Sequence, residues 1–131
     1  MCGRFNIIDS PELRDLLDEL GIDLKLPTRT NVAPTEPVPL VRATESGNEL
    51  VDVRWWLTPH WSREVSQKYA MFNARSETLA TSRAFGEPFR RRRGIVPMSA
   101  FIEWRKEEGG KQPYVIAAEG EALAVAAVWD R

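Results

Sequence analysis

Cys2 is the single cysteine among the 131 residues, and it directly follows the initiator Met1. Because cysteine is small, removal of Met1 is expected, and it leaves a thiol and a free α-amine on adjacent carbons. The thiol titrates near about 8.5 and the amine near about 7.7–8.0, so both are available nucleophiles. Such an aminothiol condenses with an aldehyde to a Schiff base and then closes to a five-membered thiazolidine. The same terminus suits an N-terminal-nucleophile amidohydrolase, or a cysteine with no chemical role.

The dehydration step of aldehyde capture needs a group that transfers protons. Glu103 lies in FIEW among aromatic and apolar residues, which suits acid–base work if its carboxyl group is buried; the alternative is a strand glutamate facing solvent. Asn73 and Arg75 in FNAR are predicted at a strand-to-helix junction, which suits an amide and a phosphate ligand, or a helix cap at Asn73. Arg4 is close enough to Cys2 along the chain to reach a phosphate on a substrate bound there.

The sequence pattern predicts the elements that must position these residues. SPELRDLLDELG predicts one helix, with Ser10 as its cap, Pro11 at its first position and a stripe of leucines at helical spacing. VPLVRA and ELVDVRWWL predict strands joined by TESGN, and RGIVP, SAFIEWRK, QPYVIAA and ALAVAAVW predict further strands. LPTRTNVAPTEP predicts a loop, and NARSETLATSRAF a short helix. The predicted class is α+β, with a mainly antiparallel, partly barrel-like β-sheet and a few short helices.

Length, composition and charge bound the class of protein. The length predicts a single domain over residues 1–131, and 43% hydrophobic and 28% charged residues are ordinary for a globular protein. One cysteine excludes an intramolecular disulfide and favours a reducing, intracellular setting, and no signal peptide or membrane span is predicted. Eight basic and three acidic residues between Arg75 and Lys106 give a net charge of +5, whereas the whole chain carries −1. This stretch is either a footprint for phosphate or a solvated face with ion pairs.

Six motifs resemble, in this order and over essentially the whole chain, those of the SRAP family (SOS response-associated peptidase, or abasic-site shielding proteins). They are MCGRF, NVAPT, RWWLTPHW, FNARSETL, RRRRGIVPMSAFIEW and QPYVI…VWD. The resemblance implies a β-rich fold with a positively charged cleft that binds single-stranded DNA. It also implies a thiazolidine crosslink between Cys2 and the open-chain aldehyde of an abasic site, which shields the lesion in the DNA damage response. The protein would then act in the cytoplasm, at the nucleoid during DNA damage.

The resemblance also implies roles for particular residues. Cys2 looks like the nucleophile, Glu103 like the proton shuttle, and Asn73 like the residue that orients the sugar and the terminal amine. Four further residues resemble the family's DNA contacts, the first two as phosphate ligands and the others as cleft walls: Arg4, Arg75, Pro34 and Trp55. No cofactor is implied and no metal, since one cysteine and one histidine cannot complete a closed zinc site.

The chain departs from the family's pattern in ways that affect these expectations. It ends at Arg131, before an HDRMP-like segment whose histidine assists sugar ring opening and crosslink reversal. We therefore expect a C-terminally truncated domain with exposed sheet edges, covered in a homodimer or by a missing C-terminal partner segment. The only histidine, His60, is not at the family's position. Trp56 replaces the glycine of RWGL and would narrow the cleft, while Ala100 and Ile102 replace the glycine and tyrosine of GFYEW.

Two other functions stay open at this point, and with them the status of the protein as an enzyme. A chain without the family's histidine segment would serve as a non-catalytic module in which arginines and tryptophans bind single-stranded DNA. The family's older name suggests a peptidase dependent on Cys2, which fits removal of its own Met1 better than cleavage of other proteins. A lyase-like activity at abasic sites belongs to the same set of expectations.

Overall fold

A computed structural model gives the fold of the chain, and it describes residues 2–65 and 69–130. Its strands and helices follow in this order: β1 (Arg4–Ile7), α1 (Pro11–Glu19), β2 (Arg29–Val32), β3 (Pro37–Thr44), β4 (Gly47–Arg54), α2 (Gly86–Arg91), β5 (Arg93–Met98), β6 (Ala100–Glu107), β7 (Gly110–Ile116) and β8 (Leu123–Val128).

The strands form two four-stranded sheets with the orders β2-β1-β6-β7 and β4-β3-β5-β8. β1 is antiparallel to both β2 and β6, β6 to β7, and β3 to both β4 and β5. The predicted α+β class with a mainly antiparallel sheet is confirmed. The described residues form two open sheets and no closed barrel, since neither sheet closes on itself.

The chain divides into two compact units, Met1–Ala33 with Pro97–Val125 and Pro34–Val96 with Ala126–Arg131. Apolar side chains from β1, β2, β6, α1, the segment after α1 and the end of β5 are buried in the first unit: Phe5, Ile7, Leu13, Leu17, Ile22, Leu26, Val32, Met98 and Ala100. A second set is buried in the other unit: Val38, Leu40, Val41, Leu57 and Val96. The single domain expected over residues 1–131 stays a prediction.

Helix α1 forms where the sequence predicts it. The Ser10 hydroxyl accepts a hydrogen bond of 3.2 Å from the Leu13 amide, which satisfies one of the free N–H groups of the first turn. Leu13 and Leu17 are buried, so the leucine stripe faces the core. The helix closes at Gly21, whose φ of +73° suits glycine and lets the Ile22 amide donate to the Leu17 carbonyl at 2.8 Å.

Two predictions about local structure are wrong. LPTRTNVAPTEP is not all loop, because β2 forms within it by pairing with β1, with Phe5 opposite Val32. Residues 73–85 form turns instead of the predicted short helix, and the helix α2 begins only at Gly86. Serine and threonine side chains compete with helical hydrogen bonding there, since the Ser82 hydroxyl accepts from the Phe85 amide at 3.1 Å.

β6 and β7, which correspond to the strands predicted from SAFIEWRK and QPYVIAA, form a tight hairpin with Glu107 opposite Gly110. Gly109 and Gly110 have φ values of +86° and +141°, which favour glycine at this turn. β7 is an edge strand of the first sheet, and all seven of its residues are exposed. β8 is likewise an edge strand, of the second sheet, so open sheet edges are present as the sequence leads us to expect.

Candidate functional site

Cys2 lies immediately before β1, and β1 places it beside β6. The two strands are antiparallel, with Arg4 opposite Ile102 and Phe5 opposite Phe101. Because the strands are antiparallel, the step from Ile102 to Glu103 on β6 runs in the same direction as the step from Arg4 back toward Cys2. The Cys2 side chain is half-buried, and its Sγ donates a hydrogen bond of 3.4 Å to the Arg4 carbonyl.

The electrostatics of the thiol reflect this placement. Burial raises the pKa of the Cys2 thiol above its ordinary value, and the negative charge of Glu103 raises it further. The sulfur is therefore held as a neutral thiol at neutral pH, although a thiolate is the stronger nucleophile. A reaction at this cysteine consequently depends on a neighbouring group that accepts its proton, and Glu103 is the carboxylate whose charge reaches it.

Glu103 is a half-buried residue of strand β6, so it is not a strand glutamate that is fully exposed to solvent. Tyr114 of β7 lies opposite it, and Phe101 shares its face of the sheet because strand residues alternate. The carboxylate thus has aromatic residues beside and across from it.

Arg4 belongs to the same group of residues. Its side chain is half-buried, and its Nη1 donates a hydrogen bond of 2.8 Å to the Gly3 carbonyl. The guanidinium is therefore turned back along the N-terminal segment toward the residue that follows Cys2. The first unit brings together Cys2, Arg4 and Glu103, three residues that the sequence singled out.

Pro34, Trp55 and Asn73 are brought together within the second unit. The Thr35 amide, next to Pro34, donates to the Trp55 carbonyl at 3.0 Å. The Trp55 indole Nε1 donates to the Phe72 carbonyl at 2.8 Å, and Phe72 directly precedes Asn73. These bonds join three segments that are distant in sequence, and the half-buried Asn73 lies at the end of the third.

Trp56, the residue expected to narrow a cleft, packs within the second unit. Its ring lies 5.6 Å from that of Phe72, while the Trp55 ring meets Phe72 edge-on at 6.0 Å. Both tryptophans thus contact the residue before Asn73 and hold its segment in place. The expectation that Trp56 narrows a DNA-binding cleft stays a prediction.

Arg75 is exposed and lies in a turn, where its carbonyl accepts from the Thr78 amide at 3.2 Å. The predicted strand-to-helix junction at Asn73 and Arg75 is absent, since residues 73–75 belong to neither a strand nor a helix. A helix cap at Asn73 is therefore excluded. The exposed guanidinium of Arg75 still suits a phosphate ligand, but no helix N-terminus assists it.

Sequence reasoning missed an aromatic and basic pair in the second unit. Trp61 is 51% exposed, and the Arg83 guanidinium lies 5.5 Å from the centre of its ring. An exposed ring beside an arginine is a typical surface for stacking a base and holding a phosphate. The signals for it were present in TPHW and in the basic stretch, but they lie 22 positions apart in the sequence.

Neither a metal site nor a membrane span emerges from the residues described. Across 2–65 and 69–130, no group of three or more histidine, cysteine and acidic side chains could hold a metal ion. The helices in these same ranges are too short or too polar to cross a bilayer.

The family model described as SOS response associated peptidase (SRAP) matches residues 1–131. The chain belongs to the SRAP family. The chain is 35% identical to abasic site processing protein YoqW of Bacillus subtilis over 111 residues, which cover 81% of this chain and 49% of YoqW. Similarity to abasic site processing protein YedK of Escherichia coli is 33% over 135 residues, covering 98% of this chain and 59% of YedK.

Solved structures show the same fold. A phage-related protein of Bordetella bronchiseptica is 27% identical, with a TM-score of 0.71 over 97% of this chain and 60% of that protein. Another protein from the same organism has a TM-score of 0.80 at 23% identity, which supports the fold alone. This SRAP chain spans about half of the length of YoqW and about three fifths of the length of YedK.

Proposed function

We propose that this SRAP protein binds single-stranded DNA and captures abasic sites through Cys2 as a thiazolidine. The observation that carries the proposal is a half-buried thiol at the second residue, within electrostatic reach of Glu103. Similarity to proteins named for abasic site processing supports the substrate class.

The chemistry requires a free α-amine on Cys2, which hydrolytic removal of Met1 supplies. The neutral amine adds to the aldehyde carbon of the ring-opened deoxyribose, and the resulting carbinolamine loses water to form a Schiff base. The sulfur then adds to the same carbon, and the nitrogen keeps a proton, which closes the thiazolidine. The overall change is one aldehyde and one aminothiol converted to one ring and one water.

Glu103 transfers protons at three points in this sequence. Its carboxylate first accepts a proton from the α-ammonium group, which frees the neutral amine, and then donates that proton to the hydroxyl that leaves as water. The carboxylate regenerated in this way accepts the proton of the thiol. The transfer from the thiol is needed because burial and the charge of Glu103 raise the pKa of the Cys2 thiol. The same carboxylate that disfavours a free thiolate thus serves as the base for its formation during ring closure.

DNA binding is proposed to rest on residues that the sequence predicts and on Trp61, which the structure adds. Arg4 lies close to Cys2 and suits the phosphate beside the captured sugar, and Asn73 is proposed to orient that sugar. Contacts farther along the strand are assigned to four residues: Pro34, Trp55, Arg75 and Trp61. Because phosphate contacts dominate such binding, affinity should fall steeply with salt.

A second candidate is a module that binds single-stranded DNA without chemistry. The exposed pair of Trp61 and Arg83 favours it, since stacking and phosphate contact need no reactive cysteine. A Cys2-dependent peptidase that removes its own Met1 is compatible with the main proposal, because that removal creates the aminothiol. An intracellular location at damaged DNA and a homodimer also stay proposals.

The test is the intact mass of the purified protein before and after incubation with a single-stranded oligonucleotide that bears one abasic site. We expect Met1 to be absent, and an adduct equal to protein plus oligonucleotide minus one water. Cys2→Ala should give no stable adduct, although borohydride should trap its Schiff base. An oligonucleotide with a tetrahydrofuran analogue, which cannot open to an aldehyde, is the matched substrate control.

Each outcome decides between the candidates. Salt-dependent binding by folded, Met1-free protein with no adduct would favour the binding module. A stable adduct that persists in Cys2→Ala without borohydride would refute capture by the thiol.

A further inference from the structure

His60 is anchored at its backbone and at its ring to other parts of the second unit. Its amide donates a hydrogen bond of 3.2 Å to Oδ2 of Asp130. Its Nδ1 lies 3.9 Å from that same oxygen and 3.9 Å from Oε2 of Glu87 on α2. The only histidine of the chain therefore joins a surface turn to a helix and to the segment after β8.

The anchor is firm because the carboxylate is buried and supported. The Asp130 side chain is only 1% exposed, and its Oδ1 lies 3.7 Å from Nε of Arg92. Arg92 is held in turn by its Nε–H, which donates to the Trp129 carbonyl, and by its backbone carbonyl, which accepts from the Trp129 amide. A buried charge with these partners does not move cheaply, since displacement would leave it uncompensated.

The ring of His60 transmits this anchoring to Trp61. The two rings meet edge to face, with centres 5.1 Å apart and planes at 80°. The turn around them is closed by the Ser62 amide, which donates to the Pro59 carbonyl at 2.8 Å. Trp61 also contacts Arg83, whose guanidinium lies 5.5 Å from the centre of the Trp61 ring. About half of the surface of Trp61 is exposed to solvent.

We infer that His60 is a positioning residue that sets the orientation of Trp61 for stacking against a base of single-stranded DNA. The inference rests on the proposed function, because it requires a nucleic acid at the Trp61 surface. An exposed tryptophan that rotates freely would lose side-chain entropy on stacking, whereas one held by a neighbouring ring has already lost it. His60 thus strengthens base contact without touching the DNA.

The experiment compares two probes that separate base contacts from phosphate contacts. One is a short oligothymidine, and the other is an oligomer of tetrahydrofuran spacers with the same number of phosphates. Binding is measured for the wild type, His60→Ala, Trp61→Ala and the double variant, all checked for folding by thermal melting. His60→Phe is the conservative variant, since it keeps a ring against Trp61.

We expect His60→Ala to weaken oligothymidine binding about three- to tenfold, a part of what one lost base stack costs. Binding of the spacer oligomer should not change, and His60→Phe should restore most of the loss. In the Trp61→Ala background, His60→Ala should have no further effect, because the residue that it positions is gone.

The remaining outcomes separate this inference from the proposed function. If His60→Ala weakens both probes equally, or weakens oligothymidine binding as much without Trp61, the positioning role is refuted while DNA binding stands. If the wild type binds neither probe, the proposed function fails and this inference fails with it.

Discussion

Replacing Glu103 by glutamine tests the chemistry most directly, because two consequences of the change have opposite signs. The charge of Glu103 raises the pKa of the Cys2 thiol, so its removal lowers that pKa and increases the thiolate fraction at a given pH. Glutamine also cannot donate or accept the protons that dehydration and ring closure require. If thiolate supply limited the reaction, Glu103→Gln would be faster; if proton transfer limits it, the variant is slower.

We expect the slower outcome. General acid–base catalysis contributes about 100- to 10,000-fold, so the single-turnover rate of crosslinking should fall at least about 100-fold in Glu103→Gln. Affinity for single-stranded DNA should be unchanged or slightly tighter, because a negative charge is removed near the phosphates. The rate is followed by quenching timed samples and resolving the adduct from free oligonucleotide, with protein in excess.

Glu108→Gln is the matched control, since Glu108 is an exposed carboxylate in the turn between β6 and β7, away from the residues that surround Glu103. It should crosslink at the wild-type rate. A Glu103→Gln protein that crosslinks as fast as wild type, or faster, would refute the assignment of Glu103 as the proton shuttle.

The remaining predictions concern titration and stability. The rate of Cys2 alkylation should rise with pH, and its half-maximal value should fall at a higher pH in the folded protein than in an unfolded control, because burial raises the pKa of the thiol. A midpoint pH at or below that of the unfolded control would contradict the burial argument. Gly94→Ala should destabilise the fold by about 1–3 kcal/mol in urea unfolding, since the new Cβ would lie 2.7 Å from Cδ2 of buried Leu40; an unchanged midpoint would show that the strand yields. Ser10→Ala should cost about 1 kcal/mol by losing the bond from the Leu13 amide, and Ser10→Asp should recover it.

Much of the local structure could be predicted from the sequence because its signals are local. A capping serine, a proline and a leucine period define α1, and glycine-rich turns between alternating apolar runs define the β3–β4 and β6–β7 hairpins. Such patterns act over a few residues and need no distant partner. The resemblance to a family rested likewise on short motifs and is confirmed by the match over the whole chain.

The elements that sequence reasoning missed depend on distant partners. β1 and β2 are only four residues each, and their strand conformation comes from pairing with each other and, for β1, with β6. The segment over residues 73–85 has helix-forming residues, but its serine and threonine side chains bond locally and break it into turns. Propensity is a weak guide wherever tertiary hydrogen bonds outweigh it.

The sequence by itself determined which chemical groups this protein has: one thiol at the second residue, a carboxylate within FIEW and a basic stretch between Arg75 and Lys106. Only the tertiary structure decided that Cys2 and Glu103, 101 positions apart, lie within electrostatic reach, because the β1–β6 register brings them together. It likewise decided that His60 meets Asp130, a contact between residues 70 positions apart. A motif determines what a side chain can do, whereas strand pairing and burial determine which partner it meets and at what pKa.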